Sequence, residues 1–192
     1  MRSMVEMNET FEIDEEVVDP AIRSVKPVIK NAPQTQELLV DALAEEIENL
    51  LSDMKFPSPS GEMTKINIYK QLLPLYEEGE GDSVFPYVLI KFERSNTVDV
   101  SQRQSVSIVI GIGLWYEDND RQYQHYAYRI YNRIMKRFIA NNFLENFRCE
   151  PEFSFALSPE DEVTYPHYYA AIGTTWMIPG IDREVDFWND FT

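Results

Sequence analysis

Leu38, Leu39, Ala42, Leu43, Ile47, Leu50, Leu51 and Met54 recur at steps of three and four residues. That spacing gathers apolar side chains on one face of a helix. Glu37, Asp41, Glu45, Glu46 and Glu48 supply the polar side, so the pattern predicts an amphipathic helix of about five turns. Pro57-Ser58-Pro59-Ser60-Gly61 ends it in a loop, because proline and glycine interrupt a helical backbone.

The period then switches to two. Residues 65–72 (Lys-Ile-Asn-Ile-Tyr-Lys-Gln-Leu) alternate polar and apolar, as a half-buried strand does. A charged, glycine-containing turn covers 77–83. Residues 85–92 (Phe-Pro-Tyr-Val-Leu-Ile-Lys-Phe) read as a second strand, with Pro86 near its start, where a missing donor matters least. Residues 105–115 read as a third, rich in β-branched Val106, Ile108, Val109, Ile110 and Ile112. Its near-continuous apolar middle predicts a central position with at least one face covered. The polar stretch 95–104 is long for a tight turn. It can form a projecting β-hairpin arm in which Val98 and Val100 alternate with Asp99 and Ser101.

A second helical period follows. Asp118, Asn119 or Asp120 is suited to cap it. Tyr123, Tyr126, Ala127, Ile130, Tyr131, Ile134 and Phe138 mark its apolar face, and it frays near Asn141-Asn142. Two more strands, roughly 148–157 and 168–179, flank an acidic, proline-bounded loop at 158–166. The order α-β-β-β-α-β-β predicts an α+β fold, with two helices packed on a mixed or antiparallel sheet. This domain spans 34–183. Residues 1–33 are acidic at first, then carry Val and Ile among Pro20, Pro27 and Pro33, with no sustained period. They read as a flexible or loosely attached arm; on the other reading, Val17-Val18 and 25–29 dock on a neighbour. Residues 184–192 read as an acidic tail.

A chain of 192 residues with 44% apolar side chains builds one sizeable core. The formal net charge of −16 weighs against nucleic acid or an anionic membrane as partner, because Lys and Arg drive phosphate binding. It suits a subunit kept soluble as a monomer before assembly, and equally a plain solvated surface. The chain has no run of about 18 apolar residues, and no apolar signal core follows Met1-Arg2-Ser3-Met4, so neither a membrane span nor export is expected. The single Cys149 excludes an internal disulfide and suits a reducing interior. Beside Arg148 it is either a reactive thiol or, the favoured reading, a small apolar filler on a strand.

Chemistry finds little purchase. His125 and His167 are the only histidines, and no CxxC or HExxH spacing occurs, so no metal or cofactor is expected. No G-x-S-x-G elbow frames a serine. Residues 110–114 (Ile-Gly-Ile-Gly-Leu) lack the Lys-Ser/Thr and third glycine of a phosphate loop. Gly111 and Gly113 fit better in a strand against which another backbone or a bulky ring packs closely. Carboxylate pairs such as Glu77-Glu78 or Glu160 and Glu162 fall in solvated loops, where burial would not raise a pKa. The chain therefore does not read as an enzyme.

Arg121, Arg129, Arg133, Lys136 and Arg137 gather on the second helix, interleaved with Tyr123, Tyr126, Tyr128 and Tyr131. Basic-aromatic mixing can bind nucleic acid. In a chain this acidic, a protein contact fits better, since Arg and Tyr are favoured at interfaces. The acidic face of the first helix on an adjacent copy would supply the opposite charge. Alternatively, the charged side simply faces water.

Several short phrases stand in a telling order: Tyr69-Lys70-Gln71-Leu72-Leu73-Pro74 before an acidic turn, Phe85-Pro86-Tyr87-Val88-Leu89-Ile90, Val109-Ile110-Gly111-Ile112, a helix beginning near Asp120, and residues 166–179 (Pro-His-Tyr-Tyr-Ala-Ala-Ile-Gly-Thr-Thr-Trp-Met-Ile-Pro). With the helix and strand order, over roughly residues 35–181, they resemble the tail-terminator (tail-completion) proteins of long-tailed phages and prophages, the lambda gpU-like group. The resemblance implies a ring-forming subunit, usually six copies, that caps the finished tail tube and presents a surface to the head–tail connector. It places the protein in the host bacterial cytoplasm during assembly and then in the virion tail. The long acidic arm is not a feature of the shortest members. On this reading the interface candidates are Arg129, Arg133, Lys136 and Arg137 on the second helix and Val98 and Val100 in the projecting segment. The partners are further copies of the chain, the tube protein and the connector. The competing readings are another neck or tube-associated phage protein, and a cytoplasmic binding module with a concave apolar pocket for a small ligand or a host protein.

Overall fold

The computed structural model describes residues 35–75, 81–96, 103–117, 122–158 and 165–179. The chain divides into two units, Met1–Ala32 and Pro33–Thr192, and every described element belongs to the second. The expectations for the arm 1–33, the tail 184–192, the cap at 118–120, and for Val98, Val100 and Arg121 lie outside the described residues.

Helix α1 (Gln36–Leu51) starts where the Thr35 hydroxyl accepts the Leu38 N–H at 3.3 Å. Threonine suits that position because its oxygen satisfies a backbone donor the first turn leaves unpaired. At the far end, the Ser52 N–H and hydroxyl both donate to the Asn49 carbonyl (3.4 and 2.8 Å). Met54, expected within the helix, therefore falls beyond it, although it is still buried. The proline- and glycine-bearing segment that follows is more than a loop. Strand β1 (Phe56–Pro57) pairs antiparallel with β2 (Met63–Thr64), and buried Ser58 donates its N–H and hydroxyl to the Glu62 carbonyl. A two-residue ladder has no periodicity by which it could be anticipated.

The main sheet contains β3 (Asn67–Lys70), β4 (Tyr87–Asn96), β5 (Gln104–Trp115), β6 (Phe143–Leu144), β7 (Phe147–Leu157) and β8 (His167–Ile178), in the order β3-β4-β5-β8-β7-β6. The β3–β4 pair is parallel and the others antiparallel. Helix α2 (Gln122–Ala140) links β5 to β6. The fold is thus α+β, with the two additional pairings at β1–β2 and β6. Strand β3 is shorter than expected: Gln71 takes φ +64°, which breaks the extended run and leaves Leu72 exposed. The β4–β5 ladder continues to Asn96 opposite Ser105; the segment expected to project between the two strands lies outside the described residues.

Helix α1 packs on β3 and β4, and α2 packs on β5, β7 and β8. Alternate residues of β5 (Val106, Ile108, Ile110, Ile112) and β8 (Ile172, Trp176, Ile178) therefore bury against Leu43 and Ile47 of α1 and Ile130, Ile134 and Phe138 of α2. Each large aliphatic side chain so buried contributes about 1.5–3 kcal/mol. Strand β5 takes the central place its apolar run predicts. A smaller cluster, Val84, Phe85, Tyr87 and Trp115, is joined by Tyr69, Leu73 and Leu89. In the β4–β5 register Tyr87 lies opposite Gly113, one step out of phase with the core pair Val88 and Ile112, which places it on the other sheet face. The Tyr87 ring occupies the space beside Gly113, as the strand reading of that glycine anticipates.

Candidate subunit interface

Charge is sorted between the two helices. Helix α1 (sequence QELLVDALAEEIENLL) contains five acids and no base; α2 (sequence QYQHYAYRIYNRIMKRFIA) contains three arginines, a lysine and no acid. Within each helix these like charges stand three or four residues apart, where they repel. The fold relieves part of that repulsion by laying the helices side by side.

Two of the four basic candidates are engaged within the chain. Arg137, about a quarter exposed, pairs through Nε with Glu46 of α1, and its terminal nitrogens donate to the carbonyls of Asn141 (2.6 Å) and Phe143 (3.4 Å). Arg133 grips Asp53 with both terminal nitrogens, Nη2 to Oδ2 at 2.8 Å, and also donates to the Leu50 carbonyl at 2.7 Å. A forked guanidinium matches a carboxylate in this way and can cap the last carbonyls of a neighbouring helix as well. The hydrogen bonds from Arg133 hold the Asp53 carboxyl below its ordinary pKa, and the charges of Arg133 and Arg129 add to the effect. The acidic helix thus supplies opposite charge to α2 within one copy. Of the partners in this seam, Glu46 was legible as an acid of the first helix but not as a partner, and Asp53 was not singled out.

The tyrosines divide in the same way. Tyr123 stacks on Tyr168 (ring centroids 3.6 Å apart), Tyr126 packs by Phe56 and Tyr116, and Tyr131 stacks on Phe155. These rings anchor the helix. Only Tyr128, 42% exposed, joins the outer surface. That surface carries His125, Tyr128, Arg129, Asn132, Lys136 and Ile139, all exposed, at helical spacing. Among the described residues, Arg129 and Lys136 make no hydrogen bond or ion pair.

On α1 a turn of about 100° per residue sets Glu37, Asp41 and Glu48 roughly 140–180° around the axis from Glu46, with Glu45 between them and the seam. Asp41 on this flank pairs with Lys70 of β3 (2.6 Å), at the edge of the sheet. Glu37, Glu45 and Glu48 are exposed and have no base partner among the described residues. The helical layer therefore runs from an acidic flank above the β3 edge, through an internal acid–base seam, to a basic outer surface.

His167 contacts Asp82 at 2.7 Å and packs its ring on Phe85, while His125 is exposed on α2. Cys149 is buried, and burial, reinforced by the Glu150 charge, pushes its thiol up to about 12. Neighbouring Arg148 pairs with Glu150, and the thiol takes the role of apolar filler on β7. Among the described residues no three His, Cys, Asp or Glu side chains gather as metal ligands. A shallow, open depression of about 280 Å³ beside Ala156, Leu157, Ser158, Tyr169, Ala170 and Ala171 has no carboxylate, imidazole or thiol in its lining, and a second, of about 160 Å³, is lined by Glu48, Asn49, Leu51, Ser52, Lys65 and Ile66. No described helix is long and apolar enough to cross a membrane.

Neither a family model nor a curated protein matches the chain. A solved structure aligns over 76% of this chain and 96% of its own at 10% identity, with a TM-score of 0.44, a likeness too slight to bear on function.

Proposed function

We propose that this chain is a tail-terminator subunit of a long-tailed phage or prophage, a structural protein that forms a ring of six copies, caps the tail tube and presents a surface to the head–tail connector. It acts in the bacterial cytoplasm during assembly and then in the virion tail. The observation that supports this reading is the sorting of charge in the helical layer. Acids without bases on α1 and bases without acids on α2 give one subunit two unlike, complementary surfaces. Unlike surfaces on identical copies join head to tail, and such a contact closes into a ring when its rotation permits. Contacts that are weak singly become strong once several form together on a tube end.

The test is negative-stain microscopy of the purified full chain, alone and mixed with tail tubes of the phage or prophage that encodes it. Six-membered rings, or density capping one tube end, are the expected result. A chain that stays monomeric and leaves tube ends bare would overturn the reading.

A further inference from the structure

We propose that the contact between copies is made by the outer surface of α2 on one copy, through Arg129 and Lys136, and the exposed acidic flank of α1 on the next, through Glu45 and Glu48 with Glu37 beyond them. The proposal rests on the ring reading and names the faces that join.

Three features of the molecule carry it. First, α1 and the turn that follows it meet α2 within one copy by acid-to-base pairing, Glu46 with Arg137 and Asp53 with Arg133. The same chemistry is left unsatisfied on the outward sides of the same helices. Second, each outward stripe keeps two like charges with no opposite charge paired to them. Glu45 and Glu48 stand three residues apart beside Asp41, which Lys70 neutralises, and Arg129 and Lys136 stand on either side of Arg133, which Asp53 neutralises. A neighbour of opposite charge relieves both stripes together, whereas a neighbour of the same kind would worsen them. Third, the spacings suit one another. Arg129 and Lys136 are seven residues apart, a rise of about 10 Å, and Glu37 to Glu48 covers about 16 Å, so both bases meet acids without sliding off the helix. Tyr128 and Ile139, exposed at 42% and 61%, flank the bases and provide the apolar and aromatic surface that a charged contact needs to exclude water. In a chain of net charge −16, an outward helix surface with bases and no acid attracts another copy's acidic flank.

The experiment is sedimentation velocity on the full chain over rising concentration, at low and high sodium chloride. Two variants, Arg129→Glu with Lys136→Glu and Glu45→Lys with Glu48→Lys, are compared with the wild type. Glu37 is left alone because an acid in the first turn favours the helix. The wild type should associate, alone or on the ends of tail tubes, and less so as salt rises, since exposed charges are screened; where it assembles only on tubes, the variants are compared by the fraction of tube ends they cap. Each variant should keep its circular dichroism and associate at least tenfold more weakly. An equimolar mixture of the two should recover, because each then offers the other a complementary face. If the wild type associates and the Arg129→Glu, Lys136→Glu chain does so equally, this contact is wrong and the ring reading stands. If the wild type stays monomeric in solution and on tail tubes, both fall.

Discussion

The Tyr87 ring fills the space in which a side chain at Gly113 would stand, so these two residues, opposite each other on β4 and β5, share one volume. A methyl group at Gly113 has to displace the ring, and with it the contacts of Tyr87 with Phe85 and Tyr69. Gly113→Ala is expected to destabilise by about 1–3 kcal/mol, the usual range for overpacking. Gly111 is the control: its nearest neighbours are Leu89 atoms at 3.7 and 3.8 Å, an ordinary contact. Gly111→Ala should be neutral or slightly stabilising, because the unfolded chain loses freedom. Urea unfolding of both variants decides the matter, and equal stabilities would remove the steric account.

Thr174 links two buried groups: its hydroxyl accepts the Trp176 indole N–H at 3.0 Å and donates to the Ile108 carbonyl at 3.1 Å. Trp176 is fully buried against Phe138, so its N–H has no access to water. Thr174→Val keeps the shape and deletes the acceptor, which should cost about 1–3 kcal/mol. Thr174→Ser, which restores the oxygen, should recover part of the loss. Guanidinium melts of the two variants test this; a valine variant as stable as wild type would show the hydroxyl to be dispensable.

Strands β5, β7 and β8 were legible because each runs for eleven or twelve residues, and in β5 the run of β-branched residues is long enough to stand out between turn-forming stretches. The pairs β1–β2 and β6–β7 rest on two-residue ladders and leave no such trace. The basic cluster on α2 was visible too, but not what it binds. Arg133 and Arg137 find partners 80 and 91 residues away, and nothing in the charge pattern tells a partner on the same copy from one on the next. That choice is made by the sheet, which lays both helices on one face.

Arg137 and Glu46, each about a quarter exposed, form the most sheltered ion pair of the seam. Solvent screening keeps the expected effect modest, about 1 kcal/mol for Arg137→Ala. Part of the loss comes from the freed carbonyls of Asn141 and Phe143 rather than from Glu46. A double-mutant cycle with Glu46→Gln separates the two. The coupling energy should be smaller than the single Arg137→Ala loss, and a coupling equal to the full loss would mean that the carbonyl contacts contribute nothing.

The Asp53 carboxyl, held below its ordinary value by Arg133, makes the seam sensitive to acid. The folded chain keeps this group charged to lower pH than the unfolded chain does. Its stabilisation is therefore fully present above the unfolded carboxylate value, near about pH 4, and is lost as pH falls through the folded value. Asp53→Asn should flatten the acid limb of the stability profile and leave the neutral-to-alkaline limb parallel to wild type. Melting curves between about pH 2 and 7 provide the comparison, and an unchanged acid limb would show that Asp53 contributes nothing to it.

Cys149 supplies a reporter of opening in the sheet itself. Its side chain faces the core from β7 opposite Trp176, and its thiol, pushed up to about 12 by burial, holds its proton at neutral pH. Since the thiolate is the reactive form, a disulfide reagent at neutral pH should label the native chain only as fast as β7 opens. It should label the urea-unfolded chain at the rate of an ordinary exposed thiol. Thr174→Val, which loosens the packing around Trp176, should speed native labelling in proportion to its lost stability if labelling requires global unfolding. Labelling that is fast in the wild type and indifferent to Thr174→Val would mean that the thiol is reached without opening the sheet, contrary to its burial.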